Sequence, residues 1–147
     1  MKKEHVGIII GIVLIIIGIV IIALNGRTID YKNRSVDDWY RDISNGKTVI
    51  TVYGASYCSH CHDYYPVIQK LATKYDLNLY FFEVDTLKSE DNASYDKLMN
   101  SFEVKDYTGS VPFTFIMSGG DYKAYTEGFV SRDYTVNFLK TNGIIKD

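Results

Sequence analysis

Near the start of the chain, residues 6–24 form an unbroken apolar block that contains no charged residue. A helix needs roughly 20 apolar residues to cross a bilayer, and this block is long enough. A cleavable signal peptide has a shorter apolar region and a small-x-small cleavage site, and no such pair lies around Ala23. The pattern therefore predicts an uncleaved transmembrane anchor at residues 6–24, preceded by a cytoplasmic flank at residues 1–5.

Residues 25–34 are polar and predict a short tether. Beyond them, the apolar pattern changes repeatedly between the helical period of 3.6 and the strand period of two. Val36, Trp39, Tyr40 and Ile43 follow the helical period, for example. In chain order, the pattern predicts a helix at 36–43, a strand at 48–53, a helix running to 75, a strand at 79–85, a helix at 93–102, hairpin strands at 113–117 and 122–126, and a helix at 131–141.

The segments between these elements are short. Polar residues at 86–92 and the stretch 104–110 predict loops, and the glycines at 119 and 120 suit the turn of the hairpin. No internal repeat interrupts the series. About 110 residues follow the tether, which is enough for one compact domain. The sequence therefore predicts a single α/β domain at residues 35–147.

The net charge is −2, and no basic stripe is interleaved with aromatic residues. This balance gives no reason to expect a nucleic-acid partner. The thirteen tyrosines are scattered along the chain. They suit half-buried strand and helix surfaces, and an aromatic-lined peptide groove is the alternative interpretation.

The chain contains only two cysteines, and they lie in the motif Cys58-Ser59-His60-Cys61. Two intervening residues let both sulfurs meet across the first turn of a helix and close an easily reduced disulfide. A predicted strand and a small-residue turn, residues 54–56, precede the motif, and a helix-like stretch follows it. In this context C-x-x-C indicates redox chemistry.

Two other interpretations of the motif are weaker. A purely structural disulfide across so short a loop would remove little chain entropy from the unfolded state. A zinc site would have to combine Cys58 and Cys61 with His60 and His62, and four ligands within five residues of a continuing helix cannot easily surround one ion. We therefore expect neither a metal nor another cofactor.

Four features together resemble the thioredoxin-fold superfamily: the C-x-x-C motif, Pro66 five residues after the second cysteine, Val111-Pro112 before a strand, and Gly128 after the hairpin. The resemblance covers residues 36–145. It implies a central mixed sheet of about four strands flanked by helices, with a cis-proline at Pro112 facing the dithiol. Residues 54–66 are also similar to membrane-linked accessory thioredoxins of bacteriocin export systems.

The resemblance implies a thiol-disulfide oxidoreductase. We expect Cys58 to be the exposed nucleophile and Cys61 the buried resolving thiol, because amide dipoles at the helix N-terminus favour a thiolate at Cys58. His60 can add positive charge or a hydrogen bond. A histidine at this position resembles disulfide isomerases and oxidases, but the direction of electron flow stays open.

Substrate binding is expected at Tyr57, Val111 and Pro112, with the backbone of Val111 offered to an extended peptide. One position departs from the family: Val52 stands where relatives bury an acid that moves the proton of the resolving cysteine. Release of the substrate could instead be assisted by water, His62 or Asp63.

Charges on the two flanks of the anchor are nearly balanced, so the positive-inside rule does not fix its orientation. Short N-terminal flanks commonly stay in the cytoplasm, and a tethered dithiol suits exported disulfide chemistry. We therefore expect a single-pass protein of the cell membrane with an extracytoplasmic domain. Its expected partners are cysteine-containing exported proteins and a membrane or extracytoplasmic electron-transfer protein.

Three alternatives stay open. The protein could be a reductase that keeps one exported protein reduced, or a non-catalytic accessory module of a secretion system that retains the fold. Glycines at 7, 11 and 18 could also form a helix-pairing face and support dimerisation.

Overall fold

A computed structural model of the chain describes residues 9–19 and 30–146. Residues 9–19 are helical. Within the described ranges, no helix combines the length and the apolar character that crossing a bilayer requires. The predicted anchor also includes residues 6–8 and 20–24. These lie outside the described residues, as do the flank at residues 1–5 and the first part of the tether.

The domain alternates helices and strands as an α/β fold. Its helices are α1 (Val36–Ser44), α2 (Ser59–Tyr75), α3 (Val84–Glu90), α4 (Asn92–Asn100) and α5 (Arg132–Thr141). Its strands are β1 (Val49–Gly54), β2 (Leu79–Glu83), β3 (Phe113–Ser118) and β4 (Asp121–Glu127), and a short 3-10 turn at Tyr31–Asn33 precedes them.

The four strands form one mixed sheet in the order β2-β1-β3-β4. β1 and β2 are parallel, with Gly54 opposite Glu83, whereas β3 is antiparallel to both β1 and β4. The carboxyl ends of β1 and β2 therefore lie side by side, next to the residue where β3 begins. We call this end of the sheet the active-site end.

Both faces of the sheet are covered, and β1 is buried throughout. On one face, Val52 and Phe81 pack with apolar residues of α2 and α5. On the other face, Trp39 of α1 is fully buried, and its indole N–H donates to Thr51 at 2.9 Å. This double burial explains why β1 and β2 are mostly apolar rather than alternating.

The prediction of a loop at residues 86–92 is wrong, because Val84–Glu90 forms helix α3. None of its residues is buried, so no apolar period marks it in the sequence. β2 correspondingly ends at Glu83 rather than at Asp85. The next helix begins immediately, with the side chain of Asp91 accepting a hydrogen bond from the Ser94 N–H.

Residues 30–34, predicted as part of the tether, instead pack against the domain. We call them the strap. Tyr31 is buried, Lys32 forms an ion pair with Glu83 at 2.5 Å, and Arg34 donates to the carbonyl of Leu79 at 2.9 Å. The strap therefore runs antiparallel to β2 along its outer edge. Residues 25–29 lie outside the described part of the chain.

Candidate active site

The two cysteines form a disulfide bond at the start of α2, with their Cα atoms 5.2 Å apart. Cys58 is the N-cap of the helix, and its sulfur accepts a hydrogen bond from the Cys61 N–H at 3.1 Å. Cys61 is buried, with 2% of its surface exposed, whereas Cys58 is partly buried. The outer sulfur is thus placed for attack by a partner and the inner one is shielded.

The inner sulfur packs where β1 ends in a glycine. A Cβ atom built on Gly54 would lie 2.7 Å from the ring of Phe81 and 3.6 Å from the Cβ of Cys61. Only a residue without a side chain leaves room for that ring. The chain then turns, and the Cys58 N–H donates to the carbonyl of Ala55 at 3.1 Å. Gly54 therefore leaves room for the ring of Phe81 in the cluster that contains Cys61.

The loop before β3 faces the disulfide. The Val111–Pro112 peptide bond is cis, as the resemblance implies. The carbonyl oxygen of Val111 lies 3.7 Å from the sulfur of Cys58. The Gly128 N–H donates to the Pro112 carbonyl at 2.8 Å, and its φ of 77° favours glycine at this position. Val111 and Pro112 are thus brought together with Cys58.

Two aromatic rings border the pair on the surface. Tyr57, directly before Cys58, is 80% exposed. The ring of His60 stacks on the ring of Phe129 at 6.3 Å between centroids, and Phe129 also meets Tyr64 edge to face at 6.5 Å. Phe129 is 48% exposed. No local pattern of the sequence predicts a role for Phe129, although it directly follows Gly128, one of the residues that carry the resemblance.

The turn before Cys58 is fixed by a carboxylate that the sequence analysis also missed. Asp85 accepts hydrogen bonds from the N–H and the hydroxyl of Ser56. Burial raises the pKa of Asp85, but the hydrogen bonds outweigh it, and the pKa lies below its usual value. On the other side, the His62 Nε2 lies 2.8 Å from the Ser56 carbonyl oxygen. His62 and Asp85 thus both hold the turn.

Val52 is fully buried in the same cluster as Cys61 and Phe81. It lies between Phe81 of β2 and Thr114 of β3. The Thr114 hydroxyl donates to the Tyr64 hydroxyl at 3.3 Å. Burial raises the pKa of Tyr64, so this hydroxyl is neutral at physiological pH. Hence the environment of Val52 is apolar and hydroxylic, without a buried acid.

Within residues 9–19 and 30–146, no group of three or more His, Cys, Asp or Glu side chains could hold a metal ion.

The thioredoxin family model matches residues 31–141. The chain belongs to the thioredoxin family. No curated protein matches it significantly. As a member of this family, the chain has a fold and a cysteine pair that suit thiol-disulfide exchange.

Solved thioredoxins share this fold at low identity. Oxidised thioredoxin O2 from Arabidopsis thaliana is 21% identical, with a TM-score of 0.51, over 73% of this chain and 88% of that one. Oxidised mitochondrial thioredoxin 3 from Saccharomyces cerevisiae is 17% identical, with a TM-score of 0.53, over 75% and 92%. Deadhead, a germline-specific thioredoxin from Drosophila melanogaster, is 18% identical, with a TM-score of 0.53, over 75% and 96%.

Proposed function

We propose that this protein is a membrane-anchored, extracytoplasmic thiol-disulfide oxidoreductase that exchanges disulfides with exported proteins. The observation that carries the proposal is the Cys58–Cys61 disulfide at the N-terminus of α2, with its outer sulfur beside the carbonyl of Val111. Free amides at a helix N-terminus stabilise negative charge. A reduced Cys58 would therefore be stabilised as the thiolate that disulfide exchange requires.

In the oxidising direction, a substrate thiolate attacks the sulfur of Cys58. The Cys58–Cys61 bond breaks, and Cys61 leaves as a thiolate that takes up a proton. A second substrate thiolate then attacks the substrate sulfur of the mixed disulfide and displaces Cys58 as a thiolate. Two electrons pass from the substrate to the protein, and a disulfide of an electron-transfer partner accepts them afterwards.

In the reducing direction the same steps run backwards. The Cys58 thiolate attacks a substrate disulfide, and Cys61 then attacks Cys58 to release the reduced substrate. Tyr57, Val111 and Pro112 border Cys58, and they are the residues that a substrate backbone would contact. His60, stacked on Phe129, would add positive charge next to the thiolate when it is protonated.

The membrane part of the proposal rests on the sequence. Residues 6–24 are uncharged and long enough to span a bilayer as an uncleaved anchor. Disulfides of exported proteins form and persist outside the cytoplasm, and the proposed orientation would place the dithiol there. The anchor would place the domain at the surface where such substrates emerge.

The test of the enzyme is to trap its substrates. In Cys61→Ala, Cys58 should accumulate mixed disulfides with cellular proteins, visible as dithiothreitol-sensitive adducts on non-reducing gels. The matched control is Cys58→Ala, Cys61→Ala, which should form none. If the single variant also forms none, and the wild-type pair does not cycle with dithiol and disulfide reagents, the proposal is wrong.

The second candidate function is a non-catalytic accessory module of a secretion system, and Val52 is the observation that favours it. Among the buried residues that the structure describes, Asp42 at the opposite end of the sheet is the only carboxylate, so no buried acid is placed to receive the proton of Cys61. If the protein is an enzyme, the reduction potential of the purified protein distinguishes an oxidant from a reductase. A value near or above that of the glutathione pool indicates an oxidant, and a much lower value indicates a reductase.

A further inference from the structure

The direction of the strap determines which end of the domain the preceding chain approaches. Arg34 contacts Leu79 at the start of β2, and Lys32 contacts Glu83 at its end. Since β1 and β2 are parallel, Glu83 lies beside Gly54, at the active-site end. Read backwards from α1, the chain therefore leaves the edge of the sheet toward the end that carries the disulfide.

The N-terminal part of the strap, residues 30–32, is held closely against α2. The Tyr31 N–H donates to the hydroxyl of Tyr65 at 3.2 Å, and that hydroxyl donates to the carboxylate of Asp30 at 2.9 Å. The ammonium group of Lys32 lies 4.9 Å from the ring of Tyr65 and 5.2 Å from that of Phe81. Contacts thus continue to the first described residue of the strap.

The C-terminal end of the strap, at Arg34, is held more strongly than its N-terminal part. The guanidinium group of Arg34 lies 3.6 Å from the centre of the Tyr80 ring. It also donates to the side-chain oxygens of Asn78 and Tyr80, each at 2.7 Å. Asp42 lies at 3.5 Å and completes the ion pair. An arginine that stacks and donates several hydrogen bonds fixes its backbone more firmly than a lone surface ion pair does.

The chain between the strap and the proposed anchor is short. Only residues 25–29 separate residue 24 from Asp30. Even a fully extended chain covers about 20 Å over that separation. With the proposed anchor in the bilayer, a domain attached at the active-site end of β2 would be kept close to the bilayer, with that end on the near side.

We propose that the strap orients the domain so that the Cys58–Cys61 pair faces the membrane, and that its electron-transfer partner carries its own dithiol or disulfide in a membrane-embedded protein close to the bilayer surface. This rests on the proposed membrane-anchored function and names the partner class of that site. The exposed rings of Tyr57 and Phe129 lie on this face. A tyrosine ring, with one apolar and one polar end, is well suited to a membrane–water interface.

The test uses the full-length protein in vesicles that contain a lipid with a maleimide on its headgroup. One variant, Cys61→Ala, keeps a single thiol at Cys58. The matched variant carries Asn45→Cys with Cys58→Ala and Cys61→Ala. Asn45 is exposed and lies one residue before Gly46, whose carbonyl accepts from Gly119 at the opposite end of the sheet. Each labelling rate is divided by the rate with a soluble maleimide.

We expect the normalised rate at Cys58 to exceed that of the Asn45→Cys variant about tenfold, because the short tether raises the effective concentration of the lipid reagent on one side only. A Gly/Ser insertion of about 12 residues before Asp30 should bring the two rates together. Equal or reversed rates without the insertion would overturn the orientation, as would lipid labelling of neither variant.

Failure of the orientation and failure of the enzyme are distinguishable. Wild-type protein in the same vesicles is assayed for exchange with a soluble dithiol peptide, which does not depend on which end faces the bilayer. Exchange with equal labelling rates overturns only the membrane-facing partner. Labelling that favours Cys58, without any exchange, supports the orientation and contradicts the proposed enzymatic activity.

Discussion

The two ends of the central sheet differ in buried charge: one contains a buried carboxylate, and the other contains a buried valine. At the end remote from the disulfide, the Asp42 side chain is only 7% exposed, yet it accepts hydrogen bonds from Lys47 at 2.7 Å and from Asn78 and Tyr80 at 2.9 Å. At the active-site end, Val52 is buried beside Cys61. Among the buried residues of the described ranges, Asp42 is the only carboxylate.

The difference has a physical reason at each end. Burial raises the pKa of Asp42, but hydrogen bonds from Lys47, Asn78 and Tyr80 more than compensate and lower it to about 2. This carboxylate is therefore a permanent charge that joins α1, β2 and the strap. The surroundings of Val52 disfavour any charge, including one on the sulfur of Cys61 after reduction. Stability and redox chemistry are thus assigned to separate ends and can be altered separately.

Removing the charge at the remote end should have the largest effect. Asp42→Ala leaves Asn78 and the Tyr80 hydroxyl without their acceptor and Arg34 without its ion pair, so we expect a loss of about 3 kcal/mol in the free energy of unfolding. Urea unfolding of the purified protein measures it. Asp38→Ala, which removes an exposed partner of Arg41, is the control and should change stability little. A similar loss in both variants would contradict this account.

The same carboxylate predicts a pH dependence. The pKa of Asp42 is lower in the folded protein than its ordinary value of 3.8. Its contribution to stability is therefore fully present above about pH 4 and is lost as the pH falls toward 2. Urea midpoints measured from pH 7 to pH 2 should show this decline. In Asp42→Asn the decline should be smaller, and an unchanged pH profile would show that other groups cause it.

Placing an acid at the active-site end should affect the redox step. Val52→Asp would put a carboxylate beside Cys61, and we expect release of a mixed disulfide from Cys58 to accelerate about tenfold near neutral pH. Single-turnover release of a thionitrobenzoate group measures it. Val52→Asn has a similar size and burial cost but cannot exchange the proton. Equal rates in the two variants would show that an acid at position 52 does not assist release.

The smallest effect is expected on the surface of that end. Phe129→Ala removes the ring that stacks on His60, and we expect kcat/KM for a peptide substrate to fall about threefold, as for the loss of one aromatic contact. The stability should hardly change, because the ring is half exposed. Tyr134→Ala, which removes an exposed ring of α5, is the control. An equal fall in both variants would mean that Phe129 has no particular role.

The sequence predicts the elements that bury an apolar face. β1, the long helix α2 and the hairpin were predicted within a few residues. β1 is a short apolar run that suits a strand buried on both faces, and two glycines mark the turn of the hairpin. The cis-proline at Pro112 was predicted from the resemblance and is confirmed. The pairing of Cys58 with Cys61 needed only their spacing, since both lie within one helical turn.

What the sequence did not predict depends on contacts between distant residues. Asp42 has its partners at Lys47, Asn78 and Tyr80, and no local pattern shows that these side chains converge. The strap lies in the segment predicted as a tether, because its contacts with the domain are ionic and aromatic and have no period. Helix α3 was missed because none of its residues is fully buried, and only Val84 and Leu87 pack partly against the core. Phe129 reaches His60 only through the fold.

The strap also sets the shortest version of the protein that should be studied in solution. A fragment that starts at Ser35 would lose the side chain of Tyr31 from the core and leave the outer edge of β2 uncovered, and such edges recruit other chains into unwanted sheets. A fragment that starts at Asp30 retains that cover. Aggregation of the shorter piece would then reflect where it was cut rather than an intrinsic property of the protein.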